Sequence, residues 1–364
     1  MAYGTVNADL MTTSDGVSSS GLYGFKNRII NGNMMVWQRG TTFNAPADGD
    51  YNADRWQYGA NQSGKVNIAQ SSSAPSGFSY SALVTSTSSY SIGASDLFRY
   101  TQRIEGFNTA DLAFGTASAS TVTLSFWVRS SLTGTFGGSL QNNNGDRSYP
   151  FTYTINSANT WEYETITIAG DTTGTWVGAT NGNGLQLNFS LGAGSSRIGT
   201  AGAWAAAGYY GATGQTNLVA TNAATWQIVG VQLEKGSTAT SFDYRPYGTE
   251  ELLCQRYYYK HADGSVASNQ IVSIGFYESS GVIFGSVKFP VTMRAIPTNV
   301  SASGTNYYSL FGVMNDQFNS LSNALTSVNQ AGFFNASEAS GTAGQTGSLR
   351  LNSSSAFVAF SAEL

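Results

Sequence analysis

The sequence is short of the residues on which many enzymes and secreted proteins depend. Its 364 residues include a single cysteine, Cys254, and a single histidine, His261. One cysteine excludes an internal disulfide and a thiolate metal cluster. A nucleophilic triad would have to use His261, whose sequence neighbours do not resemble a catalytic setting. Nucleophilic catalysis is therefore not expected of this chain.

Charge is also scarce. Asp, Glu, Lys and Arg together make up 10% of the residues, and the formal net charge is -4. A typical domain contains about a quarter charged residues. Without a basic patch, nucleic acid is not an expected partner. A surface dominated by Ser, Thr, Asn and Gly instead favours an extracellular or particle-bound assembly.

Long apolar runs are missing as well. No stretch of about 18 apolar residues occurs, so we expect no membrane-spanning segment. The N-terminus lacks a basic start followed by an apolar stretch, and a secretory signal is therefore not expected. Residues 1–24 are polar and rich in Gly, Ser and Thr. This segment is expected to be either a disordered tail or an arm that orders on a partner or a sister subunit.

Glycine and aromatic residues are abundant. The chain contains 42 glycines and 13% aromatic residues, which favours strands and tight turns. Short runs of alternating apolar and polar residues recur between Gly, Ser and Asn clusters, most clearly at 121–128 and 185–191. Many short strands without an intervening helical pattern favour a β-sandwich, in this case a jelly roll.

The stretch 225–246 predicts the end of this first domain. It alternates as a strand, breaks at 235–237, and reaches Pro246, which removes a donor from a sheet ladder. Thr249 and the acids after it indicate a short helix that acts as a spacer. Alternating runs then resume to the C-terminus. We therefore predict an all-β chain with an N-terminal arm (1–24), a large jelly-roll sandwich (25–248) and a small C-terminal β-sandwich domain (249–364).

A set of segments in this order resembles tail-fibre and related virion proteins of tailed bacteriophages, particularly the cyanophage type. The likeness extends from about Phe25 to the C-terminus. The segments are FKNRIINGNMMVW (25–37), ADRW (53–56), LSFWVR (124–129), GVQLEKG (230–236), FDYRP (242–246), CQRYY (254–258) and FPVTMR (289–294).

The resemblance implies a carbohydrate-binding-module-like jelly roll followed by a small β domain, in a homotrimeric fibre or spike on the virion. It also implies that the N-terminal arm attaches to other virion proteins. Such a protein is made in the host cytoplasm and leaves by lysis, so it needs neither a signal peptide nor disulfides. No cofactor is expected, but a structural calcium ion is common in jelly rolls of this type, and Asp54, Asp171 or Glu234 could contribute oxygen ligands. No calcium-loop spacing is visible in the sequence, so the metal is left open. The resemblance supplies no catalytic residue.

Attachment to host-surface glycans without catalysis is the leading functional hypothesis. Aromatic faces stack on sugar rings, and amides and carboxylates bond hydroxyl groups. Two surfaces are candidates, although loops or a neighbouring subunit could cover the first, and the second could be a loop pinned by its own aromatics. The first is the non-core face of the large sandwich, with Trp127, Tyr163, Gln186, Asn188, Gln232 and Glu234. The second is the loop that carries Trp204, Tyr209 and Tyr210.

Two other functions remain open. The first is a structural head-fibre, decoration or tail-junction role with no receptor contact. The second is a glycan depolymerase, which would need two carboxylates across a cleft. The candidate acids are Glu105, Glu162, Glu164 and Glu234. Glu162 and Glu164 share one strand face, which is more typical of a solvated sheet edge, and we predict that the chain is not an enzyme.

Overall fold

The computed structural model describes residues 25–267, 269–312 and 315–364. Over these residues the chain is almost entirely β-structure, which confirms the predicted class. It divides into two compact units between Arg245 and Pro246, slightly before the predicted boundary at 248/249. The predicted N-terminal arm lies outside the described residues. No helix in the described part of the chain has the length and apolar character that a membrane crossing requires.

The larger unit is a β-sandwich of jelly-roll type built from two antiparallel sheets. The first sheet contains, in spatial order, β1 (Thr42–Asn44), β3 (Val66–Ser71), β4 (Ser81–Ser86), β13 (Thr225–Lys235), β6 (Val122–Ser130) and β9 (Glu162–Ile168). The second contains β2 (Gln57–Ala60), β5 (Leu97–Glu105), β10 (Asn183–Ala193), β7 (Gly134–Gln141) and β8 (Ser148–Ile155). A short parallel pair, β11 (Ile198–Gly199) and β12 (Gly211–Ala212), lies in the loop after β10.

Aromatic side chains fill the space between these two sheets. Phe126 from β6 and Phe189 from β10 meet edge to face at 5.0 Å between ring centroids. Trp226 lies beside them, fully buried, and its indole N–H donates to the hydroxyl of Tyr153 at 3.0 Å. Removing a buried ring of this size typically costs about 3–5 kcal/mol. The alternation that predicts β6 and β10 therefore also identifies Phe126 and Phe189 as residues that hold the sheets together.

A β-bulge interrupts β13. The sequence predicts one unbroken alternation from 227 to 234, and this prediction is wrong. The pairing register with β6 shifts between Val229 and Gln232. Gly230 occupies the bulge with a φ of 67°, a backbone conformation that glycine adopts at little cost. Because the extra residue reverses the phase, Val229 and Gln232 both lie on the non-core face, opposite Trp127 and Ser125.

The smaller unit begins with the helix α1 (Tyr247–Gln255), which starts before the predicted capping residue Thr249. Two antiparallel sheets follow. The smaller sheet contains β14 (Tyr258–Asp263), β23 (Phe357–Ser361) and β17 (Thr298–Asn299). The larger sheet contains, in spatial order, β19 (Asn315–Phe318), β18 (Tyr308–Phe311), β22 (Thr346–Leu351), β15 (Ile271–Ser279), β16 (Val282–Lys288), β21 (Gln330–Asn335) and β20 (Ser322–Ala324).

The core of the smaller unit lies between these two sheets. Val358 and Phe360 from the three-stranded sheet pack in one buried cluster with Tyr277, Phe333 and Leu349 from the seven-stranded sheet. The three-stranded sheet thus covers one face of the seven-stranded sheet, as predicted for a small sandwich. The opposite face of the seven-stranded sheet carries the alternate side chains of each strand.

Candidate functional site

A groove of about 470 Å³ opens on the outer face of the first sheet of the larger unit. Strands β6 and β9 and the bulge of β13 form its floor, and two loops form its far wall. Its lining consists of aromatic and small uncharged residues: Ser76, Phe78, Ser125, Trp127, Tyr163, Gly230, Ala239, Thr240, Ser241, Phe242 and Tyr244.

The sheet side of the groove is an aromatic pair. Trp127 on β6 lies directly opposite Tyr163 on β9 in the strand register. Their ring centroids are 5.2 Å apart, and the Tyr163 side chain is 45% exposed. Directly opposed residues on adjacent strands place their side chains in contact on one face. The strand pairing therefore brings together two of the predicted site residues.

The far wall is an aromatic cluster from the two loops. The ring of Phe78 lies 5.2 Å from that of Phe242 and 5.5 Å from that of Tyr244. The Tyr244 hydroxyl donates to the carbonyl of Gly77 at 3.0 Å, although 57% of the residue remains exposed. This bond links the loop after β3 to the segment after β13 and fixes both sides of the wall.

Gly230 keeps the space between the two aromatic groups open. A Cβ atom at this position would lie 2.7 Å from Cζ of Phe78 and 3.2 Å from Cδ1 of Trp127. Its positive φ independently disfavours any other residue. The bulge and the groove therefore depend on the same glycine.

The segment 238–244, which we call the strap, is held by two buried side chains of β13. Glu234 accepts from the backbone N–H of Thr240 at 2.9 Å and from the Thr240 hydroxyl at 2.7 Å. Gln232 accepts from the backbone N–H of Asp243 at 2.8 Å and donates to Glu234 at 2.9 Å. Both predicted site residues thus lie on the expected face, but beneath the strap. They position the groove wall and are not open to solvent.

Gln186 and Asn188 lie elsewhere. Both are on β10 in the second sheet and are buried, so they do not share a surface with Trp127. Gln186 donates to Asn188 at 2.7 Å, and Asn188 donates to Ser139 at 3.2 Å. The loop after β10 contacts this polar face, because Gln215 donates to Ser190 at 2.6 Å. The prediction that all six residues share one surface is corrected: alternation gives the face of a strand, not the sheet to which it belongs.

The loop aromatics hold their loop against the sandwich. Trp204 packs edge to face against Tyr149 at 5.4 Å and Trp176 at 5.5 Å, and its indole N–H donates to the carbonyl of Ala169 at 2.7 Å. Tyr210 lies under the Arg99 guanidinium at 4.5 Å. The backbone N–H of Tyr209 donates to Ser148 at 3.1 Å. All three are half-buried, and none of them lines the groove.

The candidate acids do not converge on the groove. Glu162 and Glu164 alternate with Tyr163 along β9 and so lie on its other face. Burial, followed by the charge of Glu162, raises the pKa of Glu164. Glu105 is buried in the second sheet, and Glu234 holds the strap. The groove-lining residues named above include no carboxylate.

The three carboxylates expected to donate to calcium are engaged separately. Asp171 accepts two hydrogen bonds of 2.7 Å from Arg147. Burial raises the pKa of Asp171, but the bonds from Arg147 and Thr173 outweigh it and hold that pKa below its usual range. Asp54 accepts from the backbone N–H of Gln38 at 3.0 Å, and Glu234 bonds Thr240. Among the described residues, no three Asp, Glu, His or Cys side chains cluster as metal ligands. These three therefore do not fit a common cation site, and calcium stays a prediction.

Sequence reasoning missed Phe78, Gly230, Thr240, Phe242 and Tyr244. A signal exists for two of them, because Phe242 and Tyr244 alternate with Asp243 and Arg245 in an extended segment. That pattern puts both rings on one side of the chain. It does not show that the segment folds back over β13, which depends on the buried bonds to Glu234 and Gln232.

No protein-family model matches this sequence. No curated protein sequence matches it either. Similar solved structures include the enzymatically active domain of tailspike protein 4 from bacteriophage CBA120, with 13% identity and a TM-score of 0.29, covering 53% of this chain and 22% of that one. A family 11 carbohydrate-binding module from Clostridium thermocellum has 11% identity and a TM-score of 0.29, covering 56% and 99%.

The N-terminal cellulose-binding domain of β-1,4-glucanase C from Cellulomonas fimi has 14% identity and a TM-score of 0.24, covering 55% of this chain and 97% of that one. TM-scores this low carry no inference from those proteins to this chain. The fold described above comes from the strand order of the chain itself.

Proposed function

We propose that this chain is a fibre or spike protein of a tailed-bacteriophage virion that attaches to host-surface glycans by non-catalytic binding in the groove. One observation carries the proposal. The groove has exposed aromatic rings on two sides, with Trp127 and Tyr163 facing the cluster of Phe78, Phe242 and Tyr244.

The chemistry of the lining fits a sugar. Pyranose rings have apolar faces that stack on aromatic rings and a rim of hydroxyl groups that need hydrogen-bond partners. The groove supplies both, because Ser76, Ser125, Thr240 and Ser241 lie among its rings. A groove wall held by hydrogen bonds to two buried side chains is also pre-organised, which lowers the entropy cost of binding.

The same lining supports binding without hydrolysis. Glycoside hydrolysis by the usual mechanism requires a pair of carboxylates that flank the scissile bond. No residue named in the groove lining is Asp or Glu. The acid within the strap, Asp243, accepts from the backbone N–H of Asn27 at 3.3 Å and lies 3.8 Å from the Arg245 guanidinium. Glu234, beneath the strap, has both oxygens bonded to Thr240. A depolymerase is therefore the less favoured reading.

The phage assignment rests on the sequence resemblance. We propose a homotrimer located on the virion and assembled in the host cytoplasm, with residues 1–24 attaching it to other virion proteins. Single sugar sites bind weakly, and several copies on one particle would raise avidity through effective concentration. The alternative, a head-fibre, decoration or tail-junction protein, would make no use of the groove.

A glycan array tests the proposal. The full chain is applied to immobilised neutral and acidic oligosaccharides, beside the variants Trp127→Ala and Trp204→Ala. We expect binding to one class of glycan, loss of that binding in Trp127→Ala, and retention in Trp204→Ala, whose ring lies outside the groove. Failure of the folded wild-type chain to bind any glycan would contradict attachment through glycans. Release of reducing sugar from a bound polysaccharide would contradict the non-catalytic assignment.

A further inference from the structure

The seven-stranded sheet of the smaller unit has a second aromatic surface. Phe276, Phe284 and Phe334 lie side by side on the neighbouring strands β15, β16 and β21. Ile274 lies two residues before Phe276 and therefore on the same face. It pairs with Ser348 on β22, and Ser348 pairs with Phe311 on β18, so Phe311 lies on this face too. We call this set of five apolar side chains the apolar face. Ile274 is 71% exposed, and Phe276 and Phe311 are also exposed.

Strands β15, β16 and β21 carry apolar residues on both faces, although Ser286 and Ser348 also lie on the outer face. The alternate positions on the same strands, such as Tyr277, Ile283 and Phe333, are buried in the core of the unit. An antiparallel sheet with one solvent-exposed face normally carries polar residues on that face. Apolar residues on both faces are the pattern of a sheet that is covered on both sides. The pattern therefore calls for a second covering layer.

The charged side chains on this side of β15, β16 and β22 lie at the two ends of the strands. Lys288 ends β16 and Arg350 pairs with Ile271 at the start of β15, so both cations lie at the same end of the strands. Arg350 extends over the ring of Phe311 at 4.2 Å. Glu278 lies at the other end, beside the turn between β15 and β16. The face is positive at one end, apolar in the middle and negative at the other end.

We propose that the apolar face pairs with the same face of a second copy of this chain, with the strands of the two copies running in opposite directions. A two-fold axis perpendicular to the strands places Lys288 and Arg350 of each copy against Glu278 of the other. The apolar centres then meet with no like charges between them. This self-complementarity is what a two-fold contact requires.

The size of the face fits such a contact. Five neighbouring strands about 4.8 Å apart, each about six residues long, cover on the order of 500 Å² in projection. A stable interface buries about 800 Å² of accessible surface per partner, which exceeds its projected area. Phe and Ile also lack the polar tips that a hydroxyl-rich ligand needs, so a protein surface is the better occupant.

This pairing is independent of the glycan groove and differs from the assembly that the resemblance implies. A two-fold contact joins two copies, whereas the proposed homotrimer has a three-fold axis. The pairing through the apolar face is therefore a separate interface from any trimer contact. Substitutions on the apolar face test whether this interface forms.

Sedimentation equilibrium of the full chain over a range of concentrations tests the pairing. The double variant Ile274→Ser/Phe276→Ser is compared with Ile296→Ser, a control of similar exposure (66%) that lies before β17 of the three-stranded sheet. We expect the wild type to associate through pairs. The double variant should raise the dissociation constant at least about tenfold, and Ile296→Ser should not change it. A monomeric wild type, or association that the double variant leaves unchanged, would overturn the proposal.

Charge reversal tests the direction of the strands and does not depend on the apolar substitutions folding. Lys288→Glu and Glu278→Lys each put like charges together, and each occurs twice in a two-fold contact. Each should weaken pairing about two- to fivefold at low salt. The doubly reversed chain, Lys288→Glu/Glu278→Lys, should recover most of the loss. Recovery of the affinity between copies would support the antiparallel arrangement of their strands, and additive weakening in the doubly reversed chain would overturn it.

Discussion

The two units carry aromatic residues on their outer sheet faces in different ways. In the larger unit, Trp127 and Tyr163 lie at the bottom of a groove whose wall is the strap. In the smaller unit, Phe276, Phe284 and Phe334 lie side by side on neighbouring strands of the seven-stranded sheet. Tyr and Trp offer polar tips among Ser and Thr hydroxyls, whereas Phe and Ile do not. A concave, partly polar surface fits a small hydroxylated ligand, and a mainly apolar sheet face fits another protein surface.

Local backbone features create this difference. The bulge at Gly230 and the buried Glu234 turn an ordinary sheet face into a groove, because one opens the floor and the other holds the strap. Strand β16 also has glycine on it, but Gly285 lies within a regular register and makes no bulge. Aromatic residues on an outer sheet face are thus presented differently according to the backbone around them.

The largest expected effect that separates the two surfaces is that of Trp127→Ala. The ring is a central aromatic anchor of the groove, and such anchors typically contribute about 2 kcal/mol or more, about thirtyfold in affinity. We expect glycan binding to fall by at least this factor while self-association is unchanged. Isothermal titration with the best glycan of the array measures the first, and sedimentation measures the second. Loss of both in a folded variant would mean that the surfaces are not independent.

The next effect concerns the strap. Glu234→Ala removes the acceptor for both the N–H and the hydroxyl of the half-buried Thr240, and each lost hydrogen bond costs about 0.5–1.5 kcal/mol. We expect glycan affinity to fall about tenfold and amide exchange of residues 238–244 to accelerate. Glu234→Gln keeps one acceptor oxygen and should recover part of both losses. Unchanged affinity with accelerated exchange would show that the strap does not contribute to the site.

A smaller effect is expected for the floor glycine. Gly230→Ala adds a Cβ 2.7 Å from Phe78, and Gly145→Ala is a matched control, because Gly145 has nearly the same φ (66°) with no atom within 4 Å of the added Cβ. Both should lose about 1–3 kcal/mol of folding free energy through backbone strain. Only Gly230→Ala should add a loss from crowding and weaken glycan binding. Chemical denaturation and titration measure the two effects, and equal losses in both variants would exclude crowding.

The smallest effects are those of salt and pH. The groove lining has no Asp, Glu, Lys or Arg, and burial raises the pKa of Tyr244, so its hydroxyl stays protonated at neutral and mildly alkaline pH. We expect glycan affinity to be constant between about pH 6 and 9 and insensitive to salt. Pairing through Lys288 and Glu278 should weaken by less than about 1 kcal/mol as salt screens the charges. Strong salt dependence of glycan binding would indicate an ionic site elsewhere.

The sequence predicts much of the fold and less of the site. Alternation identifies the strands and the core side chains, and it correctly places Trp127 and Tyr163 on the non-core face of their strands. It does not place Gln186 and Asn188, because the sheet that a strand joins is decided by long-range pairing. It also misses the bulge at Gly230, since one extra residue shifts the inward–outward alternation of the strand but leaves its amino-acid composition typical of a strand. Whether these residues bind a glycan stays a prediction.

Hydrogen–deuterium exchange of the full chain, with and without a glycan that it binds, is the most direct measurement of the central claim. If the glycan binds in the groove, we expect protection from exchange to appear in the loop around Phe78, in β6 at Trp127, in β9 at Tyr163 and in the strap. Protection confined to the loop of Trp204 or to the apolar face, with the groove segments unchanged, would contradict the proposed site.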